Sequence, residues 1–195
     1  MIYDIHAPPA QYFFTSSCAA TLHTACPLVI SKIQAMPADQ TIDCIAFPDD
    51  GAAKRFGKWF KKNLKGVEIV VCNKVRVGGD RVVVISDGNP EGKHVLIMDD
   101  LVQTGGTLYE SAAKLRAAGA KSVSGFAIHA VFPNESWRRF LANGAESVFT
   151  RFWLTNSNPA ICKSIPSGDV FEMLDLAPQI VRDLIQEPSG RADWS

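Results

Sequence analysis

Val95-Leu96-Ile97-Met98-Asp99-Asp100-Leu101-Val102-Gln103-Thr104-Gly105-Gly106-Thr107-Leu108 runs an apolar strand into two adjacent carboxylates, after which a Thr-Gly-Gly-Thr turn opens a helix. Outward from it, strand and helix patterns alternate. Residues 42–47 read as a buried strand ending at Pro48-Asp49-Asp50-Gly51. A helix over 52–64 follows, with Ala53, Phe56, Phe60 and Leu64 at helical spacing and Lys54, Lys58, Lys61 and Lys62 on the other side. Residues 67–71, 82–85 and 94–98 read as strands, 108–118 as a helix closed by Gly119, and 123–129 as another strand. A short helix over 134–141, a strand over 147–152, a helix over 175–185 and a polar tail over 187–195 complete the expectation. Such alternation predicts an α/β fold with a mostly parallel sheet flanked by helices.

In sheets of this kind, ligands bind outside the carboxyl ends of strands, where the quoted segment sits. Gly105 and Gly106 let the backbone approach an anion, a helix N-terminus adds positive potential, and Thr104 and Thr107 offer hydroxyls. Asp99 and Asp100 suit ribose hydroxyls or a hydrated Mg²⁺. A phosphate at one end and vicinal hydroxyls at the other describe a ribose 5-phosphate. The plainer alternative is a strand–turn–helix junction with a capping Thr and a solvated Asp pair.

Twenty Lys and Arg balance twenty Asp and Glu among 195 residues, giving no general reason to expect nucleic acid or an anionic membrane. The lysine-rich helix side reads as a solvated face. Five scattered cysteines without a CxxC pair disfavour a disulfide framework or a structural zinc site, and Cys44 and Cys72 read as small core residues. No apolar run reaches the roughly 18 residues of a membrane span, and MIYDIHAPP lacks the pattern of a signal peptide. A cytoplasmic protein is expected. Neither a Walker A sequence nor GxGxxG occurs.

The quoted segment resembles the phosphoribosyl pyrophosphate-binding motif of type I phosphoribosyltransferases. With Gly88-Asn89-Pro90-Glu91-Gly92-Lys93 before it and Ala118-Gly119-Ala120-Lys121 after it, the resemblance narrows to the ribose-phosphate pyrophosphokinases, in their eukaryotic, plant-like branch. It extends from Tyr3 to about Leu184 and implies the type I phosphoribosyltransferase fold. Residues 99–107 would then bind ribose 5-phosphate through Asp99, Asp100, Gln103, Thr104, Gly105, Gly106 and Thr107. Asp4-Ile5-His6-Ala7 and Pro48-Asp49-Asp50-Gly51 resemble the segments whose histidine and aspartate serve the Mg²⁺ of ATP, implying His6 and Asp49 as metal residues. Asn73-Lys74-Val75-Arg76 resembles the mobile Lys-Arg-Arg loop, implying Lys74 as the catalytic lysine and Arg76 as its partner.

The implied reaction moves the β,γ-diphosphoryl group of ATP to the 1-hydroxyl of ribose 5-phosphate and releases AMP, within a homodimer or hexamer. Gln103 replaces the aspartate of the bacterial motif, Val75 the middle arginine of the loop, and Asp50-Gly51-Ala52 a more glycine-rich turn. The family's chain holds two similar α/β domains, and its adenine-holding aromatic and Arg-Gln segments have no counterpart here. The expectation is therefore a truncated C-terminal half. Residues 1–18 would be the remnant of the N-terminal domain with its metal-ligating segment. Residues 19–165 would be the phosphoribosyltransferase-type domain, and 166–195 a C-terminal helix and tail. Two alternatives stay open: a non-catalytic, synthetase-associated regulatory subunit or fragment that binds ribose 5-phosphate, and a phosphoribosyltransferase, for which no base-recognising hood is legible.

Overall fold

Cys44, Ile45, Ala46 and Phe47 are all fully buried, as a strand covered on both faces requires. Around that strand the computed structural model, which describes residues 1–14, 18–166 and 168–186, arranges the other elements. In chain order these are β1 (Ile2–Tyr3), β2 (Leu22–His23), α1 (Cys26–Gln34), β3 (Cys44–Phe47), α2 (Asp50–Asn63), β4 (Glu68–Val77), β5 (Asp80–Asp87), β6 (His94–Val102) and α3 (Gly106–Ala117). There follow β7 (Ser122–Ala130), β8 (Arg151–Thr155), α4 (Pro159–Ser164), β9 (Phe171–Leu174) and α5 (Ala177–Gln186). The expected tail over 187–195 lies outside the described residues.

Seven strands form the main sheet in the order β5-β4-β3-β6-β7-β8-β9, all parallel except β5, which runs antiparallel to β4. The α/β fold with a mostly parallel sheet is thus the one the sequence predicts. Chain order moves one way from β3 to β4 and the other way from β6 onward. The crevice at the carboxyl ends of β3 and β6 is therefore the topological switch point, where such sheets bind ligands.

The period of two splits the core between the faces. Cys44 and Ala46 face a cluster with Leu108, Ala112 and Leu115 of α3, while Ile45 and Phe47 face one with Ile30 and Ile33 of α1 and Phe56 and Phe60 of α2. Cys44 and Cys72 are core residues, and burial pushes their thiols up to about 12 and about 11.

Four local expectations change. The segment 73–76, expected as a mobile loop, is the outer part of β4, hydrogen-bonded to β5 across the two-residue turn Gly78-Gly79. Both glycines have positive φ (60° and 100°), the geometry whose twist matches a hairpin's strands. Over 134–141 there is a kinked 3-10 segment, Pro133–Phe140, because Asn134 and Glu135 sit in the left-handed region. The strand expected over 147–152 is displaced to Arg151–Thr155. Helix α1, helix α4 and strand β9 are additional; β9 extends the sheet to Leu174.

Candidate active site

Two chain segments reach the switch point from β3 and β6. After Phe47 the chain turns at Pro48, and Asp49 caps α2, its Oδ1 accepting a hydrogen bond from the Ala52 N–H at 2.8 Å. Asp99 and Asp100 are the sixth and seventh residues of β6, so alternation sends their side chains to opposite faces. A third segment comes from the N-terminus: β1 pairs in parallel with β2, and His129 Nε2 meets the Tyr3 carbonyl at 2.9 Å. That docking brings His6 to the same crevice.

His6, Asp49, Arg55, Phe56, Asp99 and Asp100 line one cavity of about 620 Å³. Asp100 is buried and doubly engaged. Arg55 Nη1 donates to its Oδ2 at 2.6 Å, and His6 Nδ1 lies 3.1 Å from both its oxygens. With Nδ1 committed to the carboxylate, the exposed His6 ring has Nε2 available as a ligand. A carboxylate–histidine pair is the arrangement that orients metal-binding imidazoles. Asp99 is half-buried; burial, and then the adjacent Asp100 carboxylate, push its carboxyl well above the usual range.

Among the described residues no group of three or more His, Cys, Asp and Glu side chains forms a metal cage. Mg²⁺ does not require one, since it keeps several waters and takes one or two carboxylates together with substrate phosphates. His6 Nε2 and the Asp49 carboxylate, lining one cavity, fit such a hydrated ion.

The second half of the site is the turn into α3. Gly105 holds φ +81°, and a Cβ there would lie 2.4 Å from Cζ of Phe140, so both backbone and packing demand glycine. At Gly106 a Cβ would meet only Thr104 Oγ1, at 3.8 Å, so the protein itself does not require glycine there. What the missing Cβ leaves is room. No side chain caps α3, so its first-turn N–H groups are open to an anion. Gln103 and Thr104 are exposed beside it.

The β4–β5 hairpin covers this turn. Lys74 Nζ donates to Thr107 Oγ1 at 3.1 Å and pairs with Glu110 Oε2 at 2.9 Å. Arg76, two residues on, shares its face and is exposed. The expected site residues thus form two neighbouring groups, His6–Asp49–Asp99–Asp100 in the cavity and Lys74–Thr104–Gly106–Thr107 at the turn. Arg55 and Glu110, which hold Asp100 and Lys74, escaped sequence reasoning. The only signal for either was a charge at helical spacing, which reads as a solvated face.

Comparison with known proteins decides the family. The phosphoribosyl transferase domain model matches residues 23–142. The chain belongs to the phosphoribosyl transferase domain family. It is 44% identical over 182 residues to ribose-phosphate pyrophosphokinase 4 of Arabidopsis thaliana, covering 92% of this chain and 52% of that protein. It is 42% identical over 187 residues to the rice ribose-phosphate pyrophosphokinase 3, chloroplastic, covering 94% and 44%. The crystal structure of phosphoribosylpyrophosphate synthetase from Mycobacterium smegmatis superposes with TM-score 0.74 at 28% identity, covering 94% of this chain and 56% of that one. The chain spans about half the length of the curated relatives it matches. Within this phosphoribosyl transferase domain family, its resemblance to the ribose-phosphate pyrophosphokinases therefore holds across nearly all of the chain.

Proposed function

We propose that this chain is the ribose 5-phosphate half of a ribose-phosphate pyrophosphokinase, which transfers diphosphate from ATP to the sugar 1-hydroxyl and releases AMP. The observation that carries this reading is Lys74 on a hairpin, bonded to Thr107 over the uncapped start of α3. A 5-phosphate on the α3 N–H groups places its sugar towards Asp99 at the end of β6. The Asp99 carboxyl accepts from a ribose hydroxyl when ionised and donates to one when protonated.

Asp100 acts at one remove, holding His6 and held by Arg55. Mg²⁺, kept by His6 and Asp49 with waters, would supply charge neutralisation for the ATP phosphates. Lys74 and Arg76, on the outer part of β4, are the positive groups that meet charge gathering on the transferred oxygens as the 1-hydroxyl attacks the β-phosphorus. The hairpin is a two-stranded ribbon beyond the sheet, suited to opening and closing over phosphates.

Assembly as a homo-oligomer belongs to the same reading, supported by the exposed Tyr12 and Phe13 and by Val181, Leu184 and Ile185 on α5. No described helix is long and apolar enough to cross a membrane. A cytoplasmic setting is supported by the free thiols of all five cysteines, and organelle-named relatives make cell fractionation its test.

The deciding assay is AMP release from Mg-ATP with and without ribose 5-phosphate, for this chain and for Lys74→Ala. Release that needs the sugar phosphate and is lost in the variant establishes a self-sufficient enzyme. Sugar-phosphate binding without release means a half-site that works with another domain. If ribose 5-phosphate does not perturb residues 99–107, the reading is wrong.

A further inference from the structure

The register of the hairpin sets Arg76 directly opposite Arg81. β4 pairs with β3 only as far as Val71, so residues 72–77 and 80–85 stand beyond the sheet as a two-stranded ribbon. Opposed residues share a face. The face carrying Arg76 and Arg81 also carries Cys72 and Val83, buried in the core cluster of α3, and Lys74, which reaches Thr107. The two guanidiniums are therefore the outer rung of the α3-facing side, about 7 Å beyond Lys74 along the strand.

Like charges directly opposed on a ribbon destabilise it. Among the described residues no carboxylate is paired with either guanidinium. Asp80, the acid at the tip, pairs with Val77 and points to the other face, and Glu110 of α3 is engaged by Lys74. Arg76 and Arg81 are both exposed, and neither has a hydrogen-bond or ion-pair partner among the described residues. Two planar guanidiniums side by side, one rung beyond a lysine, match a chain of phosphates, which each can grip through two oxygens.

We propose that Arg81 is a polyphosphate-binding residue, forming with Arg76 a two-guanidinium clamp on a phosphate chain held beside the sugar phosphate of the α3 turn. This rests on the proposed function, and it adds a residue that family resemblance did not supply. The clamp explains why a repulsive pair sits at the tip of an otherwise weak ribbon. The anion that binds it removes the repulsion and orders the hairpin together.

The test is titration calorimetry of this chain with inorganic tripolyphosphate, alongside amide chemical shifts with ribose 5-phosphate, for the unmodified chain, Arg81→Ala and Arg81→Glu. Arg81→Ala should weaken tripolyphosphate at least tenfold and leave ribose 5-phosphate affinity within twofold. Arg81→Glu should abolish tripolyphosphate binding while raising hydrogen-exchange protection of residues 72–85, because the new carboxylate complements Arg76. Unchanged tripolyphosphate affinity in Arg81→Ala, or none in the unmodified chain, overturns the clamp. So does an equal loss of both ligands with reduced hairpin protection, which marks a structural role. Loss of tripolyphosphate binding in a chain that never binds ribose 5-phosphate keeps the clamp and removes the proposed function instead.

Discussion

Arg55 Nη1 stands 2.6 Å from Asp100 Oδ2, with both side chains largely withdrawn from water. The pair joins the second turn of α2 to the end of β6, and so bridges the two sides of the switch point. Removing one member leaves an uncompensated charge, whereas removing both restores balance. Arg55→Ala should lower unfolding free energy by about 3 to 5 kcal/mol. Arg55→Met with Asp100→Leu should recover most of that loss. Urea unfolding of the two variants checks it, and a double variant as unstable as the single one would show that the pair is not what matters.

The two glycines of the α3 turn should separate stability from binding. Gly105→Ala meets Phe140 at 2.4 Å and sits at φ +81°, so strain and overpacking together should cost about 2 to 5 kcal/mol. Gly106→Ala meets nothing closer than 3.8 Å and should leave the melting temperature within a few degrees. It should nevertheless weaken ribose 5-phosphate binding at least tenfold, since the methyl occupies space open to the phosphate. Calorimetric melting and ligand titration of both variants distinguish the roles.

Much of this was legible because β3 and the first half of β6 are continuous apolar runs, and because the carboxylate pair and the Gly-Gly turn fall at a strand end. Long-range information was not. Arg55 could not be told from its neighbouring lysines on α2, since only the fold shows Asp100 behind it. Family resemblance made Lys74 to Arg76 a mobile loop, whereas the pairing of residues 72–77 with 80–85 depends on a register that the Gly78-Gly79 turn sets. Phe132 and Phe140 pack beside Gly105 through a 3-10 segment whose left-handed Asn134 and Glu135 break the helical period that 134–141 suggests.

The hairpin should be held shut by a contact of small energy and large kinetic effect. Glu110→Ala removes an exposed partner of Lys74 and should change stability by less than about 1 kcal/mol. It should still speed hydrogen exchange across residues 72–85, which have few other ties to the sheet. Exchange unchanged in that segment would mean that the buried Cys72 and Val83 alone fix the ribbon.

Stability should fall as pH rises through the weakly acidic range, because of Asp4. Its side chain is buried, Oδ2 accepts from the Ala25 N–H at 2.6 Å, and Oδ1 has no hydrogen-bond partner among the described residues. Burial is the main reason its carboxyl is pushed up from 3.8 to about 6. Between those values the folded chain keeps a proton that the unfolded chain has lost, so the stabilisation is complete below about 4 and gone above about 6. A two-unit difference corresponds to at most about 3 kcal/mol. Asp99, also raised, acts in the same direction, so the contribution of Asp4 must be read by difference. Asp4→Asn keeps an acceptor for Ala25 and tolerates the left-handed backbone at φ 44°. It should flatten the decline between pH 4 and 6 and be the more stable protein at pH 7.5. Parallel urea titrations of both proteins across pH 4 to 8 measure this, and two curves of equal slope would mean that Asp4 is ionised in the folded chain.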